Sequence, residues 1–329
     1  MKKVLIMGGS YFIGKKVVEM LSDLNIYDIY VLNRGSKKNR NQGIHQLIAD
    51  RNDLVQMKKV LSSILFDYVI DISCLNEEHV NILFDSINTS RLKQVVFLSS
   101  SAVYSCDNEC DIKLEESKLG TNRFWGQYGV DKINAEKAYQ KNAQEKRFRC
   151  DILRPPYVYG EYNYARRESF IFDHLFNNRP IIVPMSNNKI QFIYVRDLGN
   201  IIISLLGQKK SQLVNIYNVG NKHAITMLEW VMLCGYVAKV TPIIYMYTGD
   251  VYEGKKYFPF HNYNNVLNVD LINKICNAET PLVDGLMQSM LWFSAHHKNI
   301  VFNKETEGNE RDILDMHKSK LIKIQDNVC

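Results

Sequence analysis

Tyr128-Gly129-Val130-Asp131-Lys132 places a phenol and an ammonium four residues apart. On a helix those positions share a face, so both side chains can address one substrate. The ammonium favours the phenolate, and Tyr128 then serves as general base or acid at a hydroxyl or carbonyl. A chain with 19 tyrosines can hold such a pair by chance, so its setting must carry the argument. Upstream, an apolar run ends in Ser99-Ser100-Ser101-Ala102-Val103-Tyr104. A serine hydroxyl at the carboxyl end of a parallel strand can hydrogen-bond a reacting oxygen and stabilise its developing charge.

Gly8-Gly9-Ser10-Tyr11-Phe12-Ile13-Gly14 follows the first apolar run and opens the first helical pattern. Glycines there let the backbone approach a pyrophosphate, and the helix N-terminus offers N–H groups and a positive dipole end. Gly8, Ser10, Tyr11, Phe12, Ile13 and Gly14 are therefore the candidate dinucleotide cradle. The second run ends Val31-Leu32-Asn33-Arg34-Gly35. NAD-selective folds carry an acid here for the adenosine ribose, whereas Asn33 is neutral and Arg34 offers a guanidinium suited to a 2′-phosphate. That logic favours NADP(H) over NAD(H).

The elements that must position these groups are short and regular. Compact apolar runs at 4–7, 29–32, 68–72, 95–98 and 149–153 suit strands buried on both faces of a parallel sheet. Amphipathic stretches at 15–24, 54–65, 78–87 and 133–143 alternate with them. The alternation predicts an α/β fold, a doubly wound parallel sheet of Rossmann type, with a smaller mixed α/β substrate lobe. Residues 1–155 form mainly the dinucleotide-binding domain and 156–297 mainly the substrate lobe, with interleaving segments, followed by a charged tail at 298–329. In the lobe, helices are expected at 169–177 and at 197–206, the latter capped by Asp197, with a strand at 191–195. The tail is expected to hold a helix at 312–324.

The chain has 329 residues, 46% hydrophobic and 23% charged, with a formal net charge of +6, which suits an anionic ligand. No run is long enough to cross a bilayer, and the opening apolar stretch breaks at Gly8-Gly9, unlike a signal peptide. The seven cysteines lack a framework spacing, which points to reduced thiols and a cytoplasmic location. Cys106 and Cys110 have no companion pair, and the eight histidines form no H-E-x-x-H arrangement, so no metal is expected.

Five segments occur in order: Gly8 to Gly14, Ser99 to Tyr104, Tyr128 to Lys132, Arg154-Pro155-Pro156-Tyr157-Val158-Tyr159-Gly160, and Gln191-Phe192-Ile193-Tyr194-Val195-Arg196-Asp197-Leu198. Together they resemble the NAD(P)-dependent epimerase/dehydratase family of extended or atypical short-chain dehydrogenases, over roughly residues 2–295. The loop departs from the usual G-x-x-G-x-x-G, since Tyr11 stands at the middle position, as in atypical members. The resemblance implies hydride chemistry at a nicotinamide. It assigns Ser100 as the active-site serine, with Ser101 the runner-up and a substrate contact, and gives Lys132 a second role at the nicotinamide ribose. Asp50-Arg51 matches the pair that contacts adenine, and Pro155 and Tyr157 would line the nicotinamide pocket. Arg166, Arg167 and Arg196 fall where family members bind nucleotide phosphates, and homodimers through the Tyr-x-x-x-Lys helix are expected.

The dehydratase branch carries adjacent acids where this chain has Ser101 and Ala102, which argues against water elimination. Epimerisation and simple reduction or oxidation of a small substrate, a sugar nucleotide or related sugar, both remain. The alternative is an RNA-binding or regulatory protein of the same fold, for some atypical members bind RNA and basic, tyrosine-rich surfaces suit it. Retention of Ser100, Tyr128 and Lys132 together favours the enzyme and makes a nucleic-acid partner the lesser expectation.

Overall fold

The computed structural model describes residues 1–35, 43–106, 112–208, 212–277, 279–297 and 303–324. In chain order the first elements are β1 (Lys2–Met7), α1 (Phe12–Leu24), β2 (Tyr27–Asn33), β3 (Ile44–Ile48), α2 (Leu54–Leu61), β4 (Tyr68–Asp71), α3 (Glu77–Ser86), β5 (Gln94–Leu98), α4 (Gln127–Lys146) and β6 (Arg149–Arg154). They continue as β7 (Tyr157–Tyr159), α5 (Glu168–Phe176), β8 (Ile181–Pro184), β9 (Lys189–Ile190), β10 (Phe192–Tyr194), α6 (Val195–Leu205) and β11 (Val214–Asn218). The remainder is β12 (Ile225–Thr226), α7 (Met227–Ala238), β13 (Ile244–Tyr247), α8 (Asp270–Asn273), α9 (Leu282–His296), α10 (Lys304–Met316) and β14 (Leu321–Lys323). These elements divide into two compact units.

The first unit comprises Met1–Pro156, Val195–Lys222 and Leu267–Ala278. Its seven strands form one parallel sheet in the order β11-β6-β5-β4-β1-β2-β3. Strand order runs outward in both directions from β1 and β4, which makes the gap between them the topological switch point where such sheets bind ligands. Register aligns the carboxyl ends, with Met7 beside Leu32 and Asp71, Asp71 beside Phe97, and Leu98 beside Leu153. Leu5, Met7, Val95, Phe97 and Ile152 point into a core shared with Met57, Leu83, Ala135 and Tyr139 of α2, α3 and α4. The strands are buried on both faces because helices cover both, α1 and α6 packing against each other separately from α2 to α4.

The second unit comprises Tyr157–Tyr194, His223–Val266 and Glu279–Cys329. It holds a three-stranded mixed sheet, β14-β13-β8, and two strand pairs, β10 with β7 and β12 with β9. An aromatic core anchors it: Trp230 is fully buried and stacks on Phe192 at 3.8 Å, with Tyr159 and Phe260 edge-on.

Three local expectations need correction. Asp197 does not cap its helix: α6 starts at Val195 directly from β10, and Asp197 is buried in its first turn. The last helix is α10, which begins at Lys304 because the Asn303 side chain accepts from the Glu305 N–H. Residues 321–323, expected as helix, instead pair antiparallel with β13 as β14, because the edge of β13 opposite β8 takes up their backbone hydrogen bonds. Within the seven-stranded sheet two strands, β3 and β11, escaped sequence reading because each mixes polar and apolar residues. Among the described residues no helix is long and apolar enough to cross a membrane, and no group of three His, Cys, Asp or Glu gathers to hold a metal.

Candidate active site

The glycine loop leaves the carboxyl end of β1 at the switch point. Gly8 has φ +92, a conformation L side chains rarely adopt, and donates its N–H to Leu32 O at 3.1 Å. A Cβ on Gly14 would fall onto the Gly8 carbonyl oxygen, 2.8 Å from its carbon and 2.9 Å from Gly9 Cα. Only glycine lets α1 start this close to the loop. Phe12 has φ +41, so a buried aromatic holds strained backbone at the first residue of α1. No side chain caps α1 at exposed Tyr11, and no acid sits in its first turn. Ser10 and Ile13 are half-buried. A helix end of this kind suits an anion.

At the end of β2, Asn33 Oδ1 accepts from the Gly35 N–H at 2.8 Å and from Gln46 Nε2 at 3.1 Å. Two donors on that oxygen fix the amide orientation, and Asn33 Nδ2 is buried with no partner among the described residues. Arg34 is exposed. Asp50 accepts from the N–H and side chain of Asn52, bonds that hold its carboxyl below the ordinary range, helped by Arg34. Arg51 turns away from the solvent side: it pairs bidentately with fully buried Asp71 at 3.0 and 2.9 Å and donates to Ser73 Oγ at 2.7 Å. Its Nε is buried without a partner among the described residues. Asp71 also accepts from Tyr139 OH at 2.6 Å, and the Arg51 guanidinium overcomes burial to keep its carboxyl low. A Cβ on Gly8 would lie 2.7 Å from Ser73 Cβ, so this network reaches the glycine loop.

Tyr128 and Lys132 both lie on α4, which starts earlier than the amphipathic pattern indicated. Lys132 is 3% exposed and donates to Cys74 O at 2.6 Å, in the loop after β4, and to Leu98 O at 2.8 Å, at the end of β5. An ammonium has three donors, so one remains for a ligand. Its Nζ lies 5.9 Å from the Tyr128 ring centroid and 4.9 Å from that of Phe97. Tyr128 is 36% exposed. The first turn of α4 approaches the serine turn so closely that a Cβ on Gly129 would fall onto the Ala102 carbonyl oxygen. Ser100 caps that turn, its Oγ accepting from the Ala102 N–H at 3.2 Å, and Ser101 is buried with its N–H on Pro155 O at 2.9 Å.

The expected residues thus fall into three groups. Ser100, Ser101, Tyr128, Lys132 and Pro155 share one edge of the first unit with the glycine loop, Asn33 and Arg34. Arg51 is engaged within the protein, and Arg196 is an exposed residue of the first turn of α6. Tyr157 and Arg166 belong to the second unit, where Tyr157 OH accepts from the His261 N–H at 3.3 Å and burial pushes the phenol up to about 12. Arg166 has φ +54 and is half-buried, while Arg167 lies 4.8 Å above the Tyr157 ring.

Sequence reasoning missed Glu136 and Asp71, both buried. Glu136 follows Lys132 by four, so it was legible as a third member of the same helical face. It pairs bidentately with Arg154 at 2.9 and 2.6 Å and accepts from Ser99 Oγ at 2.5 Å.

A doubly wound sheet with a glycine loop and this edge defines a Rossmann-type dinucleotide-binding fold. The chain belongs to the NAD dependent epimerase/dehydratase family, which matches residues 4–220. It is 27% identical to the chloroplast stem-loop binding protein of 41 kDa b of Arabidopsis thaliana, over 98% of this chain and 86% of that protein. Its fold is similar to that of UDP-glucose 4-epimerase from Thermotoga maritima, solved with UDP-glucose, at TM-score 0.74 and 17% identity, covering 90% of this chain and 99% of that one. It is also similar to dTDP-glucose 4,6-dehydratase from Bacillus anthracis, solved with NAD, at TM-score 0.74 and 16% identity, covering 91% and 98%.

Proposed function

We propose that this chain is an NADP(H)-preferring oxidoreductase or epimerase that acts on a hydroxyl or keto group of a small substrate of the sugar-nucleotide class. The observation that carries this reading is the meeting of the first turn of α4 with the serine turn, which gathers Ser100, Tyr128 and Lys132 beside the glycine loop. The residues present fit a dinucleotide: Gly8, Gly9 and Gly14 let the loop and the start of α1 pack closely on Ser73, Val31 and the loop's own backbone, and α1 begins uncapped by a side chain. Asn33 presents only a donor, Nδ2, where an acid would accept from ribose hydroxyls. A buried donor beside an exposed guanidinium calls for an acceptor-rich group, which a 2′-phosphate supplies.

A nicotinamide held there would supply or take up the hydride. Tyr128 moves the proton of the substrate hydroxyl, Lys132 favours its phenolate and donates to the ribose, and Ser100 holds the reacting oxygen. The preference for NADP(H) tilts the reading toward a reductase, which exchanges cofactor each turnover. Purified protein should release no tightly held nucleotide on denaturation and should bind NADPH more tightly than NADH by calorimetry. Released NAD would move the reading to an epimerase, and no affinity for either dinucleotide would overturn it. On a panel of UDP- and dTDP-sugars, Tyr128→Phe should lower turnover by about 10²-fold or more with NADPH affinity retained.

The relative named for stem-loop binding matches the chain almost end to end, which keeps a second reading, RNA binding on the same fold. Submicromolar affinity for a stem-loop RNA that collapses with salt, in a protein that binds no dinucleotide, would establish it instead.

A further inference from the structure

The buried face of α4 combines the small residues Gly129, Ala135, Ala138 and Ala143 with Ile133 and Tyr139, whose ring stacks on Phe97 and meets Phe84 edge-on. That aromatic packing is centred on Tyr139, about three turns beyond Tyr128, and apolar contact is non-directional. Reacting groups need placement to about 0.5 Å, and a slip of one helical turn is roughly 5.4 Å. A directional contact nearer to Tyr128 sets its place along the sheet edge more sharply than that packing does.

Glu136 lies eight residues after Tyr128 on that face and is 1% exposed. Its carboxylate receives both Arg154 donors and the Ser99 hydroxyl. Ser99 directly precedes Ser100, and Arg154 directly precedes Pro155, whose carbonyl accepts from Ser101. Arg154 Nη1 continues to Tyr104 OH at 2.9 Å and Glu115 O at 2.8 Å, and Tyr104 OH donates to Asn218 Oδ1 at 2.7 Å. One carboxylate therefore ties α4 to the ends of β5 and β6, with β11 tied in through Tyr104. Lys132 and Tyr139 add bonds on either side through a flexible ammonium and a single hydroxyl, whereas Glu136 and Arg154 meet as a planar fork of fixed geometry.

We propose that Glu136, locked by Arg154 and Ser99, is the positioning residue that fixes the axial register of α4 and so places Tyr128 against the Ser100 turn. Stability does not explain the pair, because well-packed apolar replacements of buried ion pairs are often neutral or stabilising. Directional geometry does. The inference rests on the reading of Tyr128 as the reacting group, but its test reads backbone order and needs no substrate.

The full chain is compared with Glu136→Gln/Arg154→Met, which removes both charges, and with Ser99→Ala, which removes one hydroxyl bond. Glu136→Gln alone is avoided because it strands the Arg154 charge. Hydrogen–deuterium exchange is followed by mass spectrometry on residues 99–104 and 125–133, with 139–146 and β1–β2 as internal references. Exchange in the first two segments should accelerate by roughly tenfold or more in the double variant and less in Ser99→Ala, with the references within about twofold. Uniform acceleration across the unit would show a merely stabilising pair, and parent-like exchange would show no role; either overturns the proposal. If the double variant does not fold, Ser99→Ala decides the matter by the same criteria. NADPH titration of the parent is run alongside: failure to bind sinks the dinucleotide reading and leaves the exchange result standing.

Discussion

Gly14→Ala is the sharpest single test of the glycine loop. The new methyl would fall onto the Gly8 carbonyl, 2.8 Å from its carbon and 2.9 Å from Gly9 Cα. Carbon–carbon contacts settle near 3.5–4.0 Å, so α1 and the loop must part by roughly 1 Å. Both neighbours are backbone, and neither can rotate aside. Overpacking of this kind costs about 1–3 kcal/mol of stability, or on the order of 5 °C in melting temperature. The larger effect is on binding. A shift of about 1 Å in groups that must meet a ligand costs on the order of 10²-fold, equivalent to roughly 2.7 kcal/mol. NADPH titration by calorimetry, beside thermal melts, separates the two effects. Gly308→Ala is the control, since a methyl there meets nothing within 4 Å inside α10, and it should leave affinity unchanged while slightly stabilising the chain. Gly14→Ala binding NADPH within about threefold of the parent would refute the pyrophosphate cradle.

Three further outcomes follow from the geometry. Gly129→Ala drives a methyl onto Ala102 O and should lower turnover on an active sugar nucleotide by about 10²-fold, with NADPH affinity nearly unchanged in titration. Asn33→Asp with Arg34→Ala replaces donors by an acceptor and should move the NADPH-to-NADH affinity ratio toward NADH by roughly tenfold to 100-fold, read by paired calorimetric titrations. His79 accepts from the Leu75 N–H at Nδ1, and burial, reinforced by Arg51, holds its imidazole down at about 4. Its folded value lies below the unfolded value, so its contribution is whole above about pH 6.5 and is lost as pH falls toward 4; urea unfolding should show a loss of about 2 kcal/mol between pH 7 and 5 that His79→Asn abolishes.

The parallel sheet was legible because β1, β2, β4, β5 and β6 are short apolar runs between helical patterns, and burial on both faces demands that composition. The strands β3 and β11 were not, because at the sheet edges one side of each strand lacks a neighbour, and residues such as His45, Gln46 and Asn215 are tolerated there. At the site, residue types carried the glycine loop and the Tyr128–Lys132 pair, since their chemistry is bound to their spacing. Asp71 and Glu136 stayed hidden for the opposite reason. A lone acid in a strand or helix reads as solvent-facing, and only tertiary structure shows that Arg51 and Arg154 come to meet them from 20 and 18 residues away. The two buried pairs differ in what they hold. Arg51–Asp71 joins the loop after β3 to the end of β4, beside Ser73 and Gly8. Arg154–Glu136 joins β6 to α4 beside Ser99, on the side of Tyr128. Each ion pair thus stands behind one half of the edge that a dinucleotide would span, and each is a planar fork of fixed geometry. That division predicts separable failures: disturbing the first pair should weaken NADPH binding, and disturbing the second should loosen the Ser100 and Tyr128 segments while NADPH still binds.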